Sequence, residues 1–204
     1  MRKFYVFLFV VAVLLSTSAL GDLADIDFKP IHLYPLSNAS DIEIYHEDFL
    51  ETGDPDYTVD GKIGKAVQLD GGDDTLKTAA LTGEENATVV NFWVRHDTIS
   101  VGNGYPVIRM RDGADTDQLK INTRGGSQDT MWYRATLTSD GGNFRWALDS
   151  PPGTAGGTGF SMVTVMRNTS HACMAINETI VACVTDLTPY DSDMDQLFLS
   201  TDGG

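Results

Sequence analysis

The chain has little of what several chemistries require. Only two of its 204 residues are cysteine, which excludes a dense disulfide scaffold, and neither is set in a histidine and amide pairing that suggests an activated thiol, so no cysteine nucleophile is assigned. The four histidines, His32, His46, His96 and His171, stand far apart with no paired spacing, which excludes a zinc motif or a nucleophile–histidine arrangement of recognisable form. Cations are scarce as well. Fourteen Lys and Arg face 29 Asp and Glu, a net charge of −15, and such a surface repels nucleic acid and anionic lipid while favouring solubility outside the cell. No stretch shows helical periodicity, and no internal repeat is present. The longest apolar run, residues 4–15, is 12 residues long, short of the ~20 needed to span a bilayer.

That run has a different meaning. Arg2 and Lys3 precede it, and residues 16–21 follow with Ala19 and Gly21 at the −3 and −1 positions of a cleavage site. This is the three-part build of a secretory signal, with an uncleaved anchor as the alternative; a membrane partner is expected only if the segment is retained. Removing residues 1–21 leaves 183 of 204 residues and takes the basic count from 14 to 12, so the exported chain carries 12 − 29 = −17. In an oxidising compartment the even pair Cys173 and Cys183, flanking a hairpin, reads as a disulfide, two buried free thiols being the alternative. Four Asn-x-Ser/Thr sequons occur, at Asn38, Asn86, Asn168 and Asn177. Eight asparagines and 33 Ser and Thr in 204 residues would give roughly one by chance, so the excess suggests a glycosylating host, with chance and sequence drift as the alternatives.

From residue 87 onward, short alternating runs are punctuated by glycine and aspartate. "ATVVNFWVRHD", "PVIRMRD", "QLKINTR", "TMWYRATLTS", "FRWALDS", "GFSMVTVMRN", "HACMAI", "TIVACV" and "LFLST" are separated by turn clusters such as "SDGGN" and "PPGTAGGTG". Runs of this length and spacing predict an all-β antiparallel sandwich in one domain. Residues 22–42 contain proline without periodicity and are read as an N-terminal extension. Upstream, "GKIGKAVQLDGGDDT" tempts a phosphate-loop reading, which fails because no helix follows the glycine-rich turn. Residues 66–69 are instead expected to form a strand between two tight turns, with Gly61 and Gly64 supplying positive φ and Ala66 the small side chain that close packing needs.

In that order the pieces resemble a known family. "DGKIGKAVQLDGGDDTL" (residues 60–76), "VVNFWVR" (89–95), "SMVTVMRNTSHACMAINETIVA" (161–182) and "LFLSTDGG" (197–204) are similar to successive motifs of laminin-G-like jelly-roll domains, in the concanavalin A-like lectin/glucanase superfamily. The resemblance covers about residues 43–204. It implies a jelly-roll sandwich, with Asn177-Glu178 in place of the usual Asn-Gly hairpin turn, and it implies a further strand that these residues do not supply. It also implies a calcium ion at a rim of the sandwich, for which Asp70, Asp73 and Asp74 are the candidates, ahead of Asp54 and Asp56; plain hydrophilic turn residues are the alternative. Polysaccharide-cleaving members place two glutamates around an aspartate on one strand. The nearest match, Asp191, Asp193 and Asp195 in "DSDMD", contains no glutamate, so no catalytic residue is assigned. Calcium ligands at positions 1, 3, 5 and 12 of "DSDMDQLFLSTD" lack the glycine that an EF-hand loop requires at position 6.

Strand parity supplies the candidate binding residues. With Val90, Phe92 and Val94 inward, Asn91, Trp93 and Arg95 point outward. With Met131, Tyr133, Ala135 and Leu137 inward, Trp132 and Arg134 point outward, and Arg109, Arg111, Lys120, Asn122 and Arg124 alternate in the same way. Residues 95–145 hold seven basic and six acidic residues, so this span is near neutral within an acidic chain. Tryptophan stacks on sugar rings and arginine forks pair with carboxylates or sulfates. A solvated face whose arginines cover neighbouring aromatics is the competing interpretation. The expectation is a secreted or cell-surface non-catalytic module that binds a glycan or an extracellular protein through Trp93, Arg95, Trp132 and Arg134. A glycoside hydrolase or lyase of the same superfamily and a purely structural exterior domain are the alternatives.

Overall fold

The computed structural model describes residues 49–62, 65–69, 74–78, 89–96, 106–111, 117–125, 130–138, 144–155, 159–167, 171–185 and 196–200. They form eleven strands: β1 (Phe49–Thr52), β2 (Thr75–Thr78), β3 (Val89–Val94), β4 (Pro106–Arg111), β5 (Asp117–Arg124), β6 (Trp132–Thr138), β7 (Phe144–Asp149), β8 (Ser161–Arg167), β9 (His171–Ile176), β10 (Thr179–Thr185) and β11 (Gln196–Ser200). Seven build one antiparallel sheet in the order β1-β2-β11-β4-β5-β6-β7, and four build a second in the order β10-β9-β8-β3. This is the antiparallel jelly-roll sandwich expected from the alternating runs, and all nine of those runs are strands. Among the described residues no helix is long and apolar enough to cross a membrane.

Parity decides the packing. Along β6 the residues alternate between half-buried and buried, with Tyr133, Ala135 and Leu137 on the buried side. They meet Leu119 and Ile121 of β5, Ile108 and Met110 of β4, and Trp146 and Leu148 of β7, and across the gap Val163, Val165, Ala172, Met174 and Ile176 of the smaller sheet. Val90, Phe92 and Val94 pack on the same core from β3. Each such side chain removed from water contributes about 1.5–3 kcal/mol, so a one-residue register slip, which would turn every one of them outward, is strongly disfavoured. On the other side of the small sheet, Asn91 Nδ2 donates to Thr164 Oγ1 at 3.0 Å, tying β3 to β8.

The disulfide forms. Cys173 and Cys183 are directly opposite in the β9–β10 ladder, with Cα atoms 4.1 Å apart. The hairpin turns on Asn177 and Glu178, both left-handed at φ 47° and 70°, which is the backbone of a two-residue type I′ turn. Asn177 is suited to it, and its Oδ1 also accepts from the Met162 amide at 2.8 Å. Glu178 is not suited, because a Cβ in this region costs about 1 kcal/mol. Glu178→Gly is therefore expected to raise stability by about 1 kcal/mol, read as a higher urea midpoint at unchanged slope.

The segment before β2 departs from expectation. Residues 66–69 are not a strand; the hairpin is held by two isolated bridges, Asp56 with Gln68 and Asp60 with Lys65. Lys65 Nζ reaches both the Thr58 carbonyl and Asp60 Oδ1 at 2.8 Å, so side-chain bonds replace part of the ladder. Gly61 is required for a different reason from the one anticipated. Its φ is not positive, but a Cβ there would come within 2.9 Å of the Lys65 carbonyl oxygen and 3.1 Å of the Ala66 Cβ. Close approach, with Ala66 as the small partner, explains the glycine. Gly64 lies outside the described residues.

Candidate functional site

The outward side of the seven-stranded sheet carries the residues that sequence parity selected. Register places Arg124 opposite Trp132, Asn122 opposite Arg134, and Arg134 opposite Asp149, so β5, β6 and β7 each supply one layer of a cluster. Asp149 organises it. Arg134 donates to Asp149 through Nε (2.6 Å to Oδ1) and Nη2 (2.7 Å to Oδ2), a bidentate fork, while Trp132 Nε1 donates to the same Oδ1 at 3.1 Å. Such two-point pairing fixes the plane of the guanidinium as well as its position. Beneath them lies Asn122, which is buried. In the amide orientation that satisfies its neighbours, it donates to the Arg134 carbonyl at 2.9 Å and accepts from Arg124 Nε at 3.2 Å. The result is an indole and two guanidiniums, held by one carboxylate and one amide, on a face turned away from the core.

Hydrogen bonds from Arg134 hold the Asp149 carboxyl below the usual aspartate range; partial burial opposes this, and the Trp132 N–H and the charges of Arg134 and Arg124 reinforce it. A depressed folded-state pKa means that the cluster contributes stability above the unfolded value of about 3.9 and loses it as pH falls through the lower folded value. The Asp149 side chain is 43 % exposed, so the contribution is small, under about 1 kcal/mol. Wild type is expected to exceed Asp149→Asn in urea midpoint near neutral pH, with the difference vanishing once the folded carboxyl is protonated, in unfolding curves followed downward from about pH 5.

Trp93 and Arg95 do not join this cluster. They belong to β3 and the residues just after it, and β3 lies in the four-stranded sheet with its inward residues on the shared core, so its outward side is the opposite face of the sandwich. The expected four-residue face is thus two separate places. Parity gives each strand's inward and outward sides, but not which sheet the strand joins. At the second place Lys62 Nζ sits 5.3 Å above the Trp93 ring and the Arg95 guanidinium 5.0 Å from Phe160, so cations cover both aromatics. Of the calcium candidates, Asp70 and Asp73 lie outside the described residues. Asp74 is buried and its Oδ1 accepts from the Asp54 amide at 2.9 Å, closing the turn after β1. Asn38, Asn86, Asn168, Asp191, Asp193 and Asp195 also lie outside the described residues.

Two features were not read from the sequence. Asp149 lies within the run "FRWALDS" and is not singled out by parity, although an aspartate ending a strand one register step from an outward arginine is a signal that a pairing scheme exposes. Phe198 is the other. Counted among the strands only as part of "LFLST", it takes Lys77 of β2 at 4.9 Å and Arg111 of β4 at 4.5 Å against its ring.

No family model matches the chain and no curated protein matches it. Solved structures do. The receptor binding domain of botulinum neurotoxin D is similar with a TM-score of 0.64 at 15 % identity, over 85 % of this chain and 45 % of that one. A second structure of the serotype D binding domain gives 0.62 at 15 % identity, over 81 % of this chain and 41 % of that one. The binding domain of botulinum neurotoxin DC in complex with SialylT gives 0.56 at 14 % identity, over 79 % of this chain and 40 % of that one. This chain therefore spans less than half the length of those it resembles. At such identity the likeness establishes the β-sandwich fold.

Proposed function

We propose that this chain is an exported, non-catalytic recognition module that engages a carbohydrate or protein ligand on the outward side of its seven-stranded sheet. The observation that carries the reading is the Trp132–Asp149–Arg134 unit, in which an aromatic plate and a planar fork are fixed in advance on an outward face. Pre-arranged groups lose little conformational entropy on binding, which raises affinity without adding contacts. An aromatic plate beside a charged fork suits a sugar ring that bears an acid, and equally a peptide with alternating apolar and acidic side chains. The disulfide fits an oxidising compartment. The neighbours described as binding domains support binding over catalysis, although fold alone does not fix function. The laminin-G-like motifs, secretion and glycosylation at Asn38, Asn86, Asn168 and Asn177 belong to this proposal.

Calcium is a separate part of it. Asp70, Asp73 and Asp74 would supply oxygen ligands, and Asp74 has one carboxylate oxygen engaged by the Asp54 amide. Added calcium is then expected to raise the melting temperature and a chelator to reverse the rise; no change in either direction removes calcium from the proposal.

The central test is an array of neutral, uronic-acid and sulfated glycans together with extracellular proteins, probed with wild type and with Trp132→Ala/Arg134→Ala. Binding by wild type that the double variant weakens about tenfold or more supports the site, since an interfacial hot-spot side chain is worth about 1–2 kcal/mol or more. Negligible binding throughout leaves a structural exterior domain. Release of reducing sugar identifies a hydrolase, and release of unsaturated products a lyase.

A further inference from the structure

Among the described residues four strands end the two sheets: β1 and β7 in the larger, β10 and β3 in the smaller. An edge strand presents unpaired N–H and C=O groups on which another strand can add, and proteins blunt such edges by shortness, charge, bulges or cover. Three of the four carry such a device. β1 is four residues long and includes Glu51. β7 carries Arg145 and Asp149, and its register with β6 shifts between Leu137 and Thr138. β10 has a bulge between Ile180 and Ala182 and lies against β7 of the other sheet. β3 has none of these. It is six residues long, pairs with β8 in unbroken register, and reads Val-Val-Asn-Phe-Trp-Val, with no charge and no proline. Among the described residues no strand pairs with its other side. The outward face beside it is uncharged as well: register lines up Asn91, Thr164, Ala175 and Ile180 across the four strands. Nearby charges are Lys62, on the Trp93 ring, and Arg95, just past the strand and within electrostatic reach of Asp60.

We infer that the open edge of β3 pairs with β3 of a second copy of this chain, antiparallel about a two-fold axis, so that two four-stranded sheets join into one of eight strands. A chain with a net charge of −15 repels its own copies, and a strand without carboxylates is where that repulsion is least. A two-fold contact needs a patch that complements itself, and parity supplies the register. With Phe92 on the axis, Phe92 faces the second copy's Phe92, Val90 faces its Val94 and Asn91 faces its Trp93. The half-buried inward side chains of both copies then stay on the core side. The same register sets Arg95 beside Val89 rather than beside another cation. A free extended peptide offers the same hydrogen bonds but must first be ordered, whereas β3 is already a strand held by β8; that difference favours the second copy. Six residues a side fall short of the about 20–30 of a stable complex, so the dimer is weak and its population follows concentration. The contact is on the other sheet from Trp132 and Arg134, so it stands apart from the ligand of that face.

Sedimentation equilibrium of the whole chain from about 10 µM to about 1 mM is expected to show monomer passing to dimer, with no larger species. Raising NaCl from about 0.15 M to about 0.6 M should leave the dimer as strong or stronger, because the contact is uncharged while repulsion between acidic copies is screened. Asn91→Lys/Trp93→Lys and Asn91→Glu/Trp93→Glu each set like charges opposite one another across the axis, and each is expected to dimerise at least about tenfold more weakly. Mixing the two variants brings opposite charges together and should restore a mixed dimer, a gain that a folding defect cannot produce. Wild type gives a readout without substitution: amide hydrogen exchange within residues 89–94 should slow about tenfold at alternate positions once about nine-tenths of the chain is paired, with β1 and β10 unchanged. Wild type that stays monomeric to about 1 mM overturns the proposal. Dimers that persist in both variants, or protection that rises at β1 or β10 instead, overturn the location. A mixture that stays monomeric overturns the register. A monomeric wild type whose β3 amides are protected by an added lysine-flanked Thr-Val peptide overturns the second copy as the occupant.

Discussion

Gly125→Ala will cost about 3 kcal/mol or more of stability, the largest single effect expected from any conservative change in this chain. Two penalties coincide there. Gly125 has φ +123°, a conformation reserved in practice for glycine, and forcing a side chain into it costs about 1–3 kcal/mol. The added Cβ would also lie 2.9 Å from both the Met131 Cα and the Thr130 carbonyl oxygen. Neither is the movable end of a side chain. Met131 is buried, and its carbonyl accepts from the amides of Gly153 (2.7 Å) and Ala155 (3.2 Å), so the entry to β6 cannot shift without loosening the loop after β7. The same displacement would move Trp132 and Arg124, which directly adjoin the two clashing positions. Gly159→Ala is the matched control, because nothing lies within 4 Å of its added Cβ, and it should change stability by no more than about 0.5 kcal/mol. Urea unfolding of the two variants beside wild type measures the contrast. A loss of less than about 1 kcal/mol at Gly125 would show that the β5–β6 junction yields more readily than this geometry allows.

The disulfide should rank second. Cys173 and Cys183 are 10 residues apart in sequence, and removing so short a cross-link releases about 2.5–3 kcal/mol of chain entropy to the unfolded state. In a domain of this size that is a fall in melting temperature of about 5–10 °C. Cys173→Ala/Cys183→Ala tests it more cleanly than reduction, since it leaves no buried thiol pair to reoxidise. Because the two residues already face each other in the ladder, the hairpin itself should persist, and the loss should appear in the unfolding midpoint rather than in the sheet's circular dichroism signal. An unchanged midpoint would mean that the unfolded chain keeps this hairpin on its own.

What could be read in advance, and what could not, follows from the range of each interaction. Alternation along β6 or β8 is a property of seven consecutive residues, so the inward and outward sides of Tyr133, Trp132, Val163 and Val165 were legible from local pattern alone. The disulfide across the β9–β10 hairpin was legible from the short spacing of its two cysteines, whereas the Asn177-Glu178 turn was placed by the resemblance to laminin-G-like hairpins. β1 and β2 were not. At four residues each, "FLET" and "TLKT" are too short and too polar to show a period, and neighbouring strands rather than their own sequence make them strands. Residues 66–69 misled in the opposite sense: an apolar alternation that looks like a strand is held at isolated bridges because Lys65 and Asp60 bond through side chains. The site was half legible. Trp132 and Arg134 were found by parity, but their separation from Trp93 and Arg95 depends on sheet assignment, and the contacts of Lys77 and Arg111 on the Phe198 ring depend on which strand lies beside which.

That last dependence has a consequence for how the molecule comes into being. β11 sits between β2 and β4, so among the described residues the β1–β2 pair connects to the rest of its sheet through residues 196–200. The hydrogen bond from the Leu197 amide to Thr78 Oγ1 joins positions 119 apart in sequence. Closing so large a loop is entropically expensive and is rewarded only when both ends have arrived, which makes contacts of this kind slow to form. During synthesis, β4 to β7 can zip into a meander while β2 waits with an unpaired edge. Lys77, Phe198 and Arg109 become neighbours only at the closing step. A chain that has not finished folding therefore lacks the sheet's middle, and protection of the Leu197 amide from hydrogen exchange would report completion of the sheet.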